Sequence, residues 1–199
     1  MIFHPQVFVD SDPEKTLNNL VHLESIARIR LVFELVIIIT QALAAVWFYK
    51  LFKDINLWAA STLGIWGTVN SILIAVSAVS MNSAIDIAHS STLAFPEKLA
   101  LIELLYRIIT HVWAVGGLFF GLWLIPMGYI VVSSRRMPIW LGRTLIFGGA
   151  GYLLQTFIKC MGNQSAYLDL LTAPATVGEL WMIVYLLIYG IRPDTTDEK

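Results

Sequence analysis

The sequence predicts an all-α fold, a polytopic bundle of about five membrane-spanning helices preceded by a short amphipathic helix. Three observations carry that expectation. Hydrophobic residues make up 57% of the 199 residues and charged residues only 14%, against roughly 45–50% and 25% in soluble globular domains. A water-soluble chain so poor in charge would have to expose large apolar patches, whereas lipid is a natural solvent for such faces. Second, apolar segments of about 19 residues or more recur along the chain, and at 1.5 Å per residue each can cross a hydrocarbon core of about 30 Å. Third, Trp47, Trp58, Tyr129, Trp140, Tyr167 and Tyr189 fall near the segment ends, where amphipathic rings prefer the membrane interface.

Residues 1–26 are polar and mixed. Asp12 reads as an N-cap with Pro13 at the first helical position, opening a short helix. Leu17, Leu20, Val21 and Ile26 recur at helical spacing, so this stretch is expected to be an amphipathic lead-in able to lie on the membrane surface. The bundle itself is expected over 27–191, with spans at 27–49, 57–81, 104–132, 139–160 and 173–191, and a tail at 192–199. The third span is longer than a bilayer needs and should tilt or protrude. The last begins at Pro174, a position that a helix start tolerates. The first residues lack a basic and apolar leader, so the spans are expected to direct insertion.

Orientation follows from Lys and Arg counted by side. Lys50, Lys53, Arg135, Arg136, Arg143, Arg192 and Lys199 fall on one side, seven against five on the other. The bias places the link after the first span, the link after the third and the C-terminus in the cytoplasm, with the N-terminus outside.

The order of motifs resembles a bacterial and archaeal family of integral membrane proteins known as domain of unknown function 4386. The stretches that carry the resemblance are DPEKTLNNL, WFYKLFKDINLWAAS, GLFFGLWLIPMGYIVVSSRRMPIWLG, GGAGYLLQTF and APATVGELWMIVYLLIYGIR. They cover nearly all of the chain after about residue 10, and are strongest at Phe120–Tyr129, Pro138–Gly142 and Gly178–Glu179. Family members look like six-span proteins, and this chain reads as though the first span were lacking. The resemblance implies a fold and a location in the bacterial or archaeal cell membrane, and no catalysis. A weaker internal pattern sets Trp58, Thr62, Leu63 and Gly67 at the spacing of Trp140, Thr144, Leu145 and Gly149, which a repeated helix pair would produce.

Ionisable groups inside spans are costly and need a reason. Glu103, Arg107 and His111 share one face of the third span, while Glu34, Gln155 and Glu179 lie in three others. Threaded through the predicted topology, all of them fall in the outer half of the membrane. Glu34, Arg107, His111, Gln155 and Glu179 are therefore the candidate ligand-binding or proton-handling residues, with Arg107 expected to compensate Glu34 or Glu179. The competing reading is structural, an Arg–Glu pairing that pins helices or snorkels to the interface. Asn70 reads as interhelical glue. Pro126 is expected to kink the third span, beside a thin face of Gly116, Gly117 and Gly121.

No metal site is expected, since no pair among His4, His22, His89 and His111 has helical spacing, and the single Cys160 allows neither a disulfide nor a thiolate cluster. No catalytic residue and no cofactor is expected; phosphate-binding and nucleophile-elbow motifs are lacking. A net charge of −1 argues against nucleic acid. The partners expected are the lipid bilayer and either another membrane protein or a second copy of the chain. Three functions remain open: a non-enzymatic accessory subunit or binder of a small hydrophobic ligand, a small proton-coupled transporter, and an intramembrane enzyme acting on a lipid or quinone with His111 as acid–base group.

Overall fold

The computed structural model describes residues 4–163 and 165–190. Among them the chain is helical, in the order α1 (His4–Val7), α2 (Pro13–His22), α3 (Glu24–Phe52), α4 (Leu57–His89), α5 (Phe95–Ser134), α6 (Ile139–Cys160), a 3₁₀ segment (Ala166–Thr172) and α7 (Ala173–Tyr189). The expected tail at 192–199 and the end of the last span at residue 191 lie outside the described residues.

Among the described residues four helices are long and apolar enough to cross a membrane: α3, α4, α5 and the run Tyr167–Tyr189 that joins the 3₁₀ segment to α7. The fifth expected span, α6, is a helix of 22 residues, but Arg143, Gln155, Lys159 and its glycines dilute its apolar character. Two helices exceed the expected spans. With 33 and 40 residues, α4 and α5 are about 50 and 60 Å long, well beyond a hydrocarbon core of about 30 Å. Helical order does not stop where hydropathy falls, so Asn82 and Asp86 continue α4 beyond the expected span and Glu97 and Glu103 begin α5 ahead of it. Exposed Trp47 and Trp140 at span ends carry Lys50 and Arg143 over their rings, at 4.9 and 4.8 Å, as interfacial anchors do.

The chain forms two compact units: residues up to 41 with 71–116, and 42–70 with the remainder from 117. Helices α3, α4 and α5 each contribute one part to each unit.

In the first unit the N-terminal segment is core rather than a surface lead-in. Val7, Phe8, Leu17 and Leu20 are buried together with Ala27, Met81, Ala84, Ile85, Ala88, Ile102 and Ile109. The predicted cap is present, with the Lys15 N–H donating to Asp12 Oδ1 at 2.9 Å and Pro13 opening α2. Asn19 Nδ2 donates to the carbonyls of Gln6 and Val7, and the Val9 N–H donates to Thr16 Oγ1. These bonds tie the non-helical entry onto α2 and hold Phe8 inward.

In the second unit the core gathers Ala45, Phe52, Leu63, Trp123, Leu124, Ile130, Leu141, Leu145 and Met182. Glycines set how closely its helices approach. Between antiparallel α5 and α6, a Cβ on Gly121 would lie 2.6 Å from the Gly149 carbonyl oxygen, and one on Gly149 2.8 Å from that of Gly121. Seven residues on, Gly128 and Gly142 face each other in the same reciprocal way, at 2.5 and 2.7 Å. On the other side of α6, Gly148 abuts Ala175 and Gly178 abuts Leu145. Gly67 of α4 leaves room for the Trp123 ring.

The internal pattern has a matching local structure. Thr62 and Thr144 each donate at 2.8 Å to the carbonyl of the Trp four residues earlier. Leu63 and Leu145 are fully buried, and Gly67 and Gly149 each face α5 residues.

Candidate functional site

The five residues singled out in the sequence divide between the units. Glu34, Arg107 and His111 belong to the first, Gln155 and Glu179 to the second. In the first unit Glu34 is 1% exposed and pairs with Arg30, itself 2% exposed and one turn earlier on α3, at 2.9 Å. The expected partner Arg107 instead pairs with Glu103 on the exposed face of α5. Ser77 Oγ of α4 donates to Glu34 Oε1 at 3.0 Å, and Trp113 Nε1 of α5 donates to Ser77 Oγ at 3.0 Å. The Phe8 ring covers Arg30 at 5.5 Å and stacks on Tyr106 at 5.6 Å. The result is a buried polar core that links three helices and the N-terminal segment, in which Glu34 Oε2 has no hydrogen-bond partner among the described residues. A buried ion pair needs such extra hydrogen bonds to offset its lost hydration. Arg30, Ser77 and Trp113 were not singled out in the sequence, although the four-residue spacing of Arg30 and Glu34 already points to the pair.

Arg107 and His111 are exposed and line an open groove of about 430 Å³ with Leu73, Leu104, Ile108, Val112 and Val115. They share the expected helix face with Glu103, the partner of Arg107, and among the described residues no other polar group lines the groove.

In the second unit Gln155 has a structural task. Its Nε2 donates to the Leu168 carbonyl at 3.2 Å and to Asp169 Oδ1 at 2.8 Å, and Lys159 Nζ meets the same Asp169 oxygen at 2.8 Å. Together they fasten the 3₁₀ segment to α6. Glu179 is different. It is half-buried near the middle of Tyr167–Tyr189. It has no hydrogen-bond or ion-pair partner among the described residues.

Asn70 does not act as glue. It is 1% exposed, and neither atom of its amide has a partner among the described residues. An unmet buried amide costs about 1–3 kcal/mol. Asn70→Leu, of similar shape, is therefore expected to raise the midpoint of thermal denaturation in detergent. A lowered midpoint would mean that the amide is bonded in solution.

The second unit also contains a groove that the sequence reading passed over. Asn56, Trp58, Thr62 and Trp66 of the α4 start line one wall, and Leu122, Ile125, Pro126 and Tyr129 of α5 line the other. Its volume is about 690 Å³, within the roughly 300–1,000 Å³ usual for small-molecule sites. From Asn56 to Trp66 it runs about 15 Å, the depth of one bilayer leaflet. No charged residue lines it. The Thr62 hydroxyl is already committed to the Trp58 carbonyl, and Asn56 Oδ1 accepts from the Ala59 N–H at 2.9 Å. The Asn56 NH₂ remains as a donor at the groove mouth. The visible signal was Pro126 inside a long apolar helix, with Trp58 and Trp66 two turns apart on its neighbour.

Among the described residues no group of three or more His, Cys, Asp or Glu is placed to hold a metal ion. The sequence profile described as Domain of unknown function (DUF4386) matches residues 1–190. No curated protein and no solved structure matches the chain.

Proposed function

The chain belongs to the DUF4386 family, a domain of unknown function, and on that premise we propose that it is a non-enzymatic membrane protein that binds a small amphiphile from the surrounding lipid. The observation that carries this reading is the groove between Trp58–Trp66 and Leu122–Tyr129. It is apolar, aromatic and uncharged, and it spans the depth of one leaflet. Indole and phenol rings offer broad contact to a hydrocarbon body, while their polar edges suit the interface. The Arg30–Glu34 core supports the non-enzymatic side only in that Glu34 Oε1 is committed to Arg30 and Ser77. We further propose that the groove faces the cytoplasmic leaflet, since in sequence Asn56 follows Lys50 and Lys53 and Tyr129 precedes Arg135 and Arg136.

The test is photolabelling with a long-chain alcohol carrying a diazirine and an alkyne, mapped by peptide mass spectrometry. Labels should concentrate on 56–66 and 122–129 and fall severalfold in Trp58→Ala/Trp66→Ala. Labels spread over the exposed faces of α3 and α7 at the same density would remove the proposal.

A second reading, proton-coupled transport, rests on Glu179, whose carboxyl lies in a span without a partner among the described residues. It requires that Glu179→Gln abolish transport of a pH-sensitive kind in proteoliposomes. Unchanged flux in that variant would end it.

A further inference from the structure

We infer that the groove of the second unit takes an anionic phospholipid, with a chain along the apolar walls and the phosphate held at the mouth by Lys53 and Arg135. This inference rests on the amphiphile-binding reading and names the ligand class. The register of the two walls sets which residues share the mouth. Helices α4 and α5 run antiparallel through the short link at 90–94, and Gly67 of one receives the Trp123 ring of the other. Asn56 lies eleven residues before Gly67, and Ser134 lies eleven after Trp123. At 1.5 Å per residue both stand about 16 Å from that contact, on the same side. The mouth at Asn56 is therefore level with the end of α5, where Arg135 turns the chain out of the helix with φ +54°. On the other wall, the Asn56 N–H donates to the Phe52 carbonyl at 3.0 Å. That tight turn holds the backbones of Lys53 and Asn56 within about 7 Å of each other.

Lys53 and Arg135 are exposed, and neither side chain has an ion pair or hydrogen bond among the described residues. Two other cations of the unit are occupied, Lys50 over the Trp47 ring and Arg143 over the Trp140 ring. Asp54 is the one acid in the links 53–56 and 135–138, against Lys53, Arg135 and Arg136. The net positive mouth thus complements an anionic head, while the uncharged walls suit only a hydrocarbon chain. A phosphate at the mouth keeps contact with interfacial water, and the flexible Lys and Arg stems bring it counter-charge. Asn56 Oδ1 is taken by the Ala59 N–H, so its NH₂ is left to donate to a phosphate or ester oxygen. A zwitterionic head brings an ammonium of its own into the same cationic surroundings and is disfavoured.

The experiment uses the full chain in a neutral detergent and two phospholipids that share one diazirine-bearing chain, a phosphatidylglycerol and a phosphatidylcholine. Labelling of 56–66 and 122–129 should favour the anionic lipid by about tenfold, since each cation beside a charged head contributes roughly fivefold and Asp54 opposes them. Lys53→Gln/Arg135→Asn removes both cations, with Asn suited to the left-handed backbone at 135. It should bring the two lipids within about twofold. Lys50→Gln/Arg143→Gln lowers the charge of the unit by the same amount and should keep most of the preference. Equal loss of preference in the two double variants would reduce the effect to general surface charge and overturn the inference. Equal labelling of the unaltered protein by both lipids, or stronger labelling by the phosphatidylcholine, would also overturn it while leaving amphiphile binding intact. Failure of both lipids to label the groove above the exposed faces of α3 and α7 would remove the underlying reading instead.

Discussion

Gly128→Val should leave little folded protein. Its Cβ would sit 2.5 Å from the Gly142 carbonyl oxygen and 2.7 Å from Ile146 Cγ1, and backbone cannot yield as a flexible side chain can. The clash forces α5 and α6 apart along a seam whose other contact, Gly121 with Gly149, is just as close. Overpacking typically costs about 1–3 kcal/mol and occasionally more, and a clash with backbone falls at the upper end. The expected result is loss of the monodisperse peak after detergent extraction, or a thermal midpoint lowered by many degrees. Gly64→Ala is the matching control, because its Cβ would meet nothing closer than 3.4 Å and should shift stability by less than about 0.5 kcal/mol. Similar yields for the two variants would mean that the α5–α6 seam is looser than described.

Glu34→Leu should be comparably damaging, for an electrostatic reason. It leaves Arg30, 2% exposed, without the carboxylate that balances it, and removing one partner of a buried pair costs about 3–5 kcal/mol. It also takes the acceptor from Ser77 Oγ. The double variant Arg30→Met/Glu34→Leu removes the stranded charge and should recover most of the loss, since apolar replacements of buried pairs are often neutral or stabilising. Thermal denaturation of the four proteins of this cycle in detergent gives the comparison. A double variant as unstable as Glu34→Leu would show that the pair has a role beyond mutual compensation.

How much of this was legible in the sequence depends on whether the deciding interaction was local. The Asp12 cap with Pro13, the start of α4 at Leu57 and both ends of α6 follow from neighbours within a turn, and each was readable. The far ends of α4 and α5 were not, because hydropathy reports where lipid stops and not where helix stops. The burial of Phe8 was hidden for another reason. A single aromatic in a short polar lead has no periodicity, and its place depends on Arg30 and Tyr106, which are distant in sequence. The polar candidates are grouped differently from what the sequence suggested. Gln155 was found, but its partner Asp169 lay in a stretch read as a loop. Glu34 was found, but its partner was sought on α5 rather than one turn away on its own helix. The groove needed the register of α4 against α5, which the fit of Trp123 onto Gly67 sets. No window along one helix contains that information.

A bound amphiphile is the claim on which the functional account stands. The most direct measurement is a density map of the protein in lipid nanodiscs at a resolution that separates ligand from annular lipid. The account predicts continuous density between Trp58–Trp66 and Leu122–Tyr129. A groove closed by its own side chains, or holding only acyl density like that along α3 and α7, would contradict it.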